Sequence, residues 1–266
     1  MAKTSTYFFL KARLKNLIPQ IFGNKKYQKL VILGRQRTGS SLLMMQLHDH
    51  PKIDMQSEVF RLLKGKSCRT VWNELFSKKL PWIQYAGFKL FYNHPDDREV
   101  WEILSANTDV KIIHIKRENL LRFYVSKLIA INTGSWNSIQ EGEKKEPLDK
   151  RVKVDIEHCL NALRESKKLE TEYSENRFPN HQYIELTYEK LTQNREEQLG
   201  RIYSFLGLEN KKMKEEKFNL KRQNPEGLKE LILNYDELLE ALKNSEFKNL
   251  LTLRHLRKKQ LNFLWQ

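Results

Sequence analysis

Apolar residues in this chain fall into short runs that alternate with segments of helical spacing. "KLVILG" (29–34) is a short apolar run closed by glycine, as in a parallel strand buried on both faces. "SSLLMMQLHDH" (40–50) continues as a helix that stops before Pro51, and "KIDMQSEVF" (52–60) opens as a short strand. "YAGFKLFY" (85–92) and "DVKIIHIKR" (109–117) predict two more strands, and "LLRFYVSKLIAI" (120–131) a helix after them. "VDIEHCLNALRESKKLETEYSENRF" (154–178) predicts one long, charged helix. "HQYIELTYEKL" (181–191) predicts a last strand, and "REEQLGRIYSFLGL" (195–208) a helix closing at Gly207. Strands alternating with helices predict an α/β fold of three layers, a central parallel sheet of about five strands flanked by helices. No internal repeat interrupts the pattern. The charged stretch "QEGEKKEPLDKRVK" (140–153) predicts a solvated loop able to serve as a lid.

The two ends of the chain differ from the middle. Residues 1–29 hold seven Lys or Arg and no acid, with Leu10, Leu14, Leu17, Ile18 and Ile21 at helical spacing. This predicts a basic amphipathic helix ending near Gly23-Asn24. Pro19 interrupts it and its apolar face is short, so docking of that face on the domain is expected, with a membrane surface as the alternative. "LLTLRHLRKKQLNFLWQ" at the C-terminus predicts a second basic amphipathic helix. The expected organisation is an N-terminal extension, 1–28, and a single domain, 29–266.

Composition adds one strong constraint. The formal net charge is +15, with 39% hydrophobic and 30% charged residues in 266. Such an excess implies an anionic partner: nucleotide, nucleic acid, membrane surface or acidic substrate. Cys68 and Cys159 are the only cysteines, too few and too far apart for a disulfide framework or a metal set. No Cys-x-x-Cys or His-Glu-x-x-His motif occurs, and no metal site is expected. Apolar stretches fall well short of the ~20 residues that span a bilayer. No apolar run followed by a cleavage site marks a signal peptide. A reducing, cytoplasmic location is expected, with peripheral membrane contact through the basic termini as an added possibility.

Candidate chemistry begins at "LGRQRTGSSLL" (33–43). Gly34 and Gly39 have the spacing of the phosphate loop G-x-x-x-x-G-K-[ST], and the predicted strand–loop–helix context fits it. Ser40 stands where that motif has lysine, with Ser41 next, and positive charge comes instead from Arg35 and Arg37. In an open α/β sheet, ligands bind beyond the carboxyl ends of the strands. The helix N-terminus, Gly39, two hydroxyls and a forked guanidinium suit a phosphate or sulfate. Mg²⁺-dependent triphosphate chemistry needs the missing lysine and an aspartate at a strand end. "VKIIHIKR" ends in Lys116 and Arg117 instead. The loop therefore reads as P-loop-like, but fitted to an anion held without metal.

A second constellation follows that strand. Arg117 lies just past it, and Ser126 nine residues on, in the predicted helix. Together they could share a terminal phosphate. "RTGSSLL" resembles the 5′-phosphosulfate loop of the sulfotransferases that use 3′-phosphoadenosine 5′-phosphosulfate (PAPS). "R-E-N-x(6)-S" resembles their 3′-phosphate motif. "HPKIDMQSEVF", "GFKLFY", "YEKLTQNREEQLGRIYSFLGL" and "KRQNPEGLKELILNYDEL" are similar, in this order, to segments of bacterial carbohydrate-type members. The likeness covers roughly residues 29–245.

The resemblance implies a sulfuryl transfer from PAPS to a hydroxyl acceptor, carbohydrate or glycolipid, leaving 3′-phosphoadenosine 5′-phosphate (PAP). It gives the 5′-phosphosulfate to Arg35, Arg37, Thr38, Gly39, Ser40 and Ser41, and the 3′-phosphate to Arg117 and Ser126. Tyr188 matches a tyrosine near the adenine. Lys221 and Arg222 match a late basic loop over the 3′-phosphate. Arg37 would stabilise charge on the leaving phosphate, and Glu58 is the expected general base, an N-terminal helix acid being the alternative role. Among histidines, His94 is the best rival base. His48 and His50 are expected at the surface, and His114 in the core. Lys89 could contact the sulfuryl group or acceptor, or pair with an acid. Loops 60–80 and 132–153 would build the acceptor pocket.

Two other function classes remain at this point. A divergent kinase or NTPase would require Mg²⁺–ATP. A non-catalytic anion or nucleic-acid binder would use the charge alone, but the aromatic interleaving that single strands need is absent. No nucleic-acid partner is expected.

Overall fold

The computed structural model describes residues 18–94, 98–134, 149–210, 224 and 226–252. Five strands form one parallel sheet: β1 Gln28–Gly34, β2 Ile53–Gln56, β3 Tyr85–Phe91, β4 Val110–Lys116 and β5 Tyr183–Thr187. Their order is β2-β3-β1-β4-β5, so β1 sits at the centre. Gly34 pairs with Phe91 of β3, and Leu33 with His114 of β4. Lys116 of β4 pairs with Thr187 of β5. This is the three-layer α/β architecture that the alternation predicts.

Why the strands read as continuous apolar runs is clear from their burial. Leu30 to Leu33 are fully buried, and every residue of β3 is buried. On one face, Leu30 and Ile32 of β1, Ile53 and Met55 of β2, and Ile113 and Ile115 of β4 point toward two helices. These are Ser40–His48, with Leu43 and Leu47, and Arg195–Leu206, with Leu199, Ile202 and Tyr203. On the other face Phe88 meets Phe60, Trp72 and Phe76, with ring centroids 5.0, 5.9 and 6.2 Å away. Trp72 belongs to the helix Cys68–Leu75, whose start is capped by the Ser67 side chain. Each fully buried side chain of this size contributes about 1.5–3 kcal/mol.

The described residues group into two compact units. Those within Met1–Lys116 and Tyr173–Met213 carry the sheet; those within Arg117–Glu172 and Lys214–Gln266 form the other. The second unit has its own core. Phe123, Val125 and Ile129 of the helix Leu120–Thr133 pack with Cys159 and Leu163 of the helix Ile156–Glu172 and with Leu238 and Leu242 of the helix Tyr235–Lys243. A parallel bridge joins Val152 to Ile232 within it.

The helices Glu99–Ala106, Tyr235–Lys243 and Cys68–Leu75 were not foreseen, the last lying within the expected loop 60–80, and two predicted elements have other bounds. The last strand ends at Thr187 rather than 191, because the Thr187 hydroxyl accepts from the Lys190 amide and starts a helix, Tyr188–Gln193. The long helix covers Ile156–Glu172 rather than 154–178. Its start is fixed by Asp155, whose carboxylate accepts from the His158 amide. Beyond it Tyr173 stacks on Tyr92 at 4.8 Å, and a 3-10 turn, Glu175–Arg177, follows. Residues 18–22 are helical. The rest of the basic N-terminal segment, residues 135–148 of the charged loop, and the C-terminal segment from 253 lie outside the described residues. So do Lys221 and Arg222.

Candidate active site

The loop after β1 is shaped by two left-handed residues. Gly39 has φ 83°, and Arg37 has φ 64°. The second value is uncommon for a residue with a β-carbon, at about 1–2 kcal/mol, and such strain gathers at functional positions. Gly39 is required twice over. A β-carbon there would lie 2.5 Å from Cδ2 of Tyr188, so the tyrosine ring rests directly on the loop backbone. Gly34 is needed for a different contact: its added β-carbon would lie 2.8 Å from the Ile115 carbonyl. The Thr38 hydroxyl donates to the Arg35 carbonyl at 2.7 Å and ties the loop to itself.

Gly39 is also the N-cap of the helix Ser40–His48. No side chain caps that end, and no acid lies in its first turn. Its first amides have no partner within the helix, so the positive end of the dipole is left for an anion. Arg37 is half-buried, and this burial pushes its guanidinium below the ordinary arginine value, while Tyr188 opposes the shift. The guanidinium stays charged at neutral pH. It has lost hydration, so a bound anion gains more from it than from a solvated arginine.

Lys89 and Glu58 stand beside the loop. Lys89, on β3, is 2% exposed. Its Nζ donates to the Ser41 Oγ at 2.9 Å and faces the Glu58 Oε1 at 3.0 Å. Glu58, two residues past β2, is 22% exposed, and its other oxygen lies 3.7 Å from Arg61 Nη1. One chain of contacts thus runs from the end of β2, through β3, into the first turn of the loop helix. Lys89 thus has the acidic partner that the sequence reading foresaw as one of its two uses.

The histidines separate by environment. His48 is exposed, and its Nδ1 accepts from the Met55 amide at 3.2 Å. His50 is not at the surface as the sequence suggests: it is buried, 5.2 Å from the Tyr203 ring. Its position before Pro51 hid the fact that the turn folds back on the helix Arg195–Leu206. His94 is buried with its ring 5.0 Å from Phe91. His114 is fully buried between the Tyr92 and Tyr183 hydroxyls, with Glu185 Oε1 3.4 Å away. Burial pushes its pKa down, against the pull of Glu185. Glu185 itself is held down at about 2, chiefly by His114 and then by Lys116.

In the second unit, Arg117 follows directly on β4, and both it and Ser126 are buried. Asn119, the last letter of the R-E-N triplet, caps the helix Leu120–Thr133 by accepting from the Arg122 amide at 2.8 Å. It thereby fixes the turn on which Ser126 lies. The Asn224 amide donates to the Ser126 Oγ at 3.4 Å. Arg122 Nη2 donates to the carbonyls of Asn224 and Glu226 at 3.1 and 2.5 Å. Asn224 closes the "KRQN" stretch, so the end of that stretch meets Ser126 within this unit. The sequence reading missed Asn119, Arg122 and Asn224. A capping Asn directly before an apolar helix is the one signal that was available.

Residues 97–212 match the sulfotransferase family. The fold agrees. A solved sulfotransferase from Alicyclobacillus acidocaldarius is similar with a TM-score of 0.52 at 15% identity, covering 83% of this chain and 91% of that one. Mouse sulfotransferase SULT7A1, solved with PAP, aligns over 91% of this chain and 93% of its own at 14% identity and a TM-score of 0.43. A sequence comparison with curated proteins gives no match. The matched segment runs from before the helix Glu99–Ala106 to beyond Leu206, and so contains Arg117, Ser126 and Tyr188 but not the loop after β1. Among the described residues no group of three or more His, Cys, Asp or Glu side chains could hold a metal ion, and no helix is long and apolar enough to cross a membrane.

Proposed function

We propose that the protein transfers a sulfuryl group from PAPS to an acceptor hydroxyl, in line and without a metal ion. The observation that carries this reading is the contact chain Glu58–Lys89–Ser41, which joins a carboxylate at the end of β2 to the anion-binding loop. The loop fits the donor's 5′ end: an uncapped helix N-terminus, a desolvated Arg37, and Gly39 under the Tyr188 ring. PAPS supplies an activated sulfuryl group and a phosphate leaving group. In this reading Arg35, Arg37, Thr38, Gly39, Ser40 and Ser41 hold the 5′-phosphosulfate, and Tyr188 lies toward the adenine. Arg117 and Ser126 hold the 3′-phosphate, with Lys221 and Arg222 closing over it.

Glu58 is the base that takes the acceptor proton. Its carboxylate is partly exposed, as a group that meets an incoming substrate must be. Arg37 and the loop amides stabilise the charge that builds on the leaving phosphate. Lys89 holds Glu58 and Ser41 at fixed separation. Once Glu58 has taken the proton, Lys89 becomes an uncompensated positive charge beside Ser41, at the stage when negative charge builds at the loop. The acceptor class that the likeness favours is a carbohydrate or glycolipid hydroxyl. A cytoplasmic location belongs to this reading, with Cys68 and Cys159 both buried as thiols.

Calorimetry with PAP, in the presence of a chelator, tests the donor site. Arg37→Ala should weaken PAP binding roughly 10- to 100-fold, from ~1.5–3 kcal/mol for hydrogen bonds to a charged group. Arg117→Ala should weaken it similarly. A preference for Mg²⁺–ATP over PAP would overturn the proposal in favour of a divergent P-loop kinase. Transfer from labelled PAPS to panels of glycans, glycolipids and small alcohols identifies the acceptor class.

A further inference from the structure

Of the five large apolar side chains that the sheet-bearing unit leaves in water among the described residues, Leu62 stands apart and the other four lie on two segments joined to each other. Ile18, Ile21 and Phe22 are 44, 67 and 71% exposed, and Trp82 is 58% exposed. The first three belong to the short helix that opens the described chain, and Trp82 tips a turn before β3. Backbone contacts hold these two segments together. Asn24 and Lys79 form an antiparallel bridge with both hydrogen bonds at 2.9 Å. Lys78 Nζ donates to the Gln20 carbonyl at 3.1 Å. The Tyr27 hydroxyl donates to the Ser77 carbonyl at 2.7 Å. Gly23 fits only because it lacks a β-carbon, which would lie 2.5 Å from the Lys79 carbonyl. The helix is thus fastened to the unit by its backbone, yet its apolar side chains face outward. Of the face expected to dock on the domain, Ile18 and Ile21 stay exposed, while Leu10, Leu14 and Leu17 lie outside the described residues.

The surroundings of these side chains are basic. Lys25, Lys26 and Lys78 are exposed beside them. The chain ahead of them, residues 1–17, adds Lys3, Lys11, Arg13 and Lys15, and the first acid in the sequence is Asp49. Exposed apolar groups in a contiguous patch mark an interaction surface. Aromatic and aliphatic groups rimmed by Lys25, Lys26 and Lys78, with the nearby Asp54 taken up by Lys79 at 2.9 Å, match the interface of an anionic bilayer. There, Trp and Phe enter the headgroup region and lysines meet lipid phosphates. A protein partner could use Phe22 and Trp82 as well, but basic residues with no acid before Asp49 favour a uniformly anionic surface over the mixed charges of a protein.

We infer that Ile18, Ile21, Phe22 and Trp82, with Lys25, Lys26 and Lys78, form a docking surface for an anionic lipid bilayer. The apolar groups insert and the lysines supply a salt-sensitive attraction. This places the contact on a backbone-fastened element of the fold, so the bilayer would hold the sheet-bearing unit in a fixed orientation. The inference is independent of the sulfotransferase reading, because none of these residues belongs to the donor loop.

Sedimentation of the full chain with phosphatidylserine–phosphatidylcholine vesicles, against phosphatidylcholine alone, tests it. Binding should require the anionic lipid and weaken as salt rises. Phe22→Ser with Trp82→Ser should raise the apparent dissociation constant at least about tenfold. The same change should leave the melting temperature within a degree or two, since both side chains are exposed. Trp82 fluorescence, isolated by subtracting Trp82→Phe, should shift to the blue on binding. Absence of binding to anionic vesicles at low salt would overturn the inference. Undiminished binding by the double variant, lost only on charge reversal of Lys3, Lys11, Arg13 and Lys15, would overturn it in favour of the N-terminal segment. Concentration-dependent dimerisation that the double variant abolishes, without vesicle binding, would assign the face to a second copy and overturn it also.

Discussion

Replacing either partner of the Glu58–Lys89 pair should destabilise the protein by unequal amounts, because the two ends are unequally buried. Lys89 is 2% exposed and Glu58 22%. Glu58→Gln keeps the shape and leaves an amide oxygen that can accept from the ammonium, but it removes the compensating charge. The ammonium then has neutral partners: the amide, the Ser41 hydroxyl 2.9 Å away and the Phe91 ring 5.0 Å away. Leaving a buried charge unpaired costs about 3–5 kcal/mol, and the retained hydrogen bond places this change at or just below the lower end. Lys89→Met removes the buried charge itself and fills the space with an apolar chain. Glu58 then turns to water and to Arg61, 3.7 Å away, and the cost should be about 1–2 kcal/mol. The double variant, lacking both charges, should be more stable than Glu58→Gln alone, a coupling of at least ~1 kcal/mol. Urea denaturation of the four proteins at pH 7 measures all these quantities. A Glu58→Gln variant as stable as the parent would refute the argument, since the ammonium would then have found water that the burial denies it. Additive losses would refute it as well.

Other consequences are separable. Gly39→Ala should lower stability by about 1–3 kcal/mol, because it places a β-carbon at φ 83° and pushes the Tyr188 ring away; thermal melts with and without PAP should show the larger loss in the liganded protein. Thr187→Val, which removes the cap of the helix Tyr188–Gln193, should cost about 1 kcal/mol by denaturant titration. Glu185 is held at about 2 against an ordinary 4.5, so its contribution is complete above 4.5 and is lost as pH falls toward 2. His114 is held below its ordinary 6.5, so stability also declines as pH drops beneath that value. Glu185→Gln should flatten the acid decline below pH 4.5 in urea titrations run across pH, and an unchanged profile would reject the pairing.

What the sequence revealed depended on range. The strands were legible because burial on both faces makes them uninterrupted apolar runs, as at Leu30–Leu33. The loop after β1 was legible because two glycines and a following helix are local signals. Thr187 was misread because β5 and the helix after it form one apolar-periodic stretch, and only a hydroxyl contact to the Lys190 amide divides them. His50 was misread because its burial depends on Tyr203, more than 150 residues later in the chain. The acidic partner of Lys89 was hidden in a register: β3 runs beside both β1 and β2, so its lysine meets residues that follow each. Asn224 is a further case, as nothing local ties it to Ser126.

The absent loop lysine looks different once β3 is in place. Position 40 holds serine, yet an ammonium does reach the first turn of the helix, delivered to Ser41 from Lys89 of the neighbouring strand. In a triphosphate loop that charge is always available to the ligand. Here Glu58 offsets it, and the pair is neutral while Glu58 is ionised. Removing the carboxylate charge therefore gives the loop a permanent positive charge. Glu58→Gln, though less stable, should bind PAP more tightly than the parent by roughly 3- to 10-fold, the effect of ~1 kcal/mol. It should also fail to transfer the sulfuryl group. Lys89→Met, which leaves the carboxylate uncompensated near the anion, should bind PAP more weakly by a similar factor. Calorimetry at low and high salt, carried out well below either melting temperature, reads both changes. Weaker PAP binding by Glu58→Gln would mean that the carboxylate supports the donor directly, and the role of base would then fall to another group.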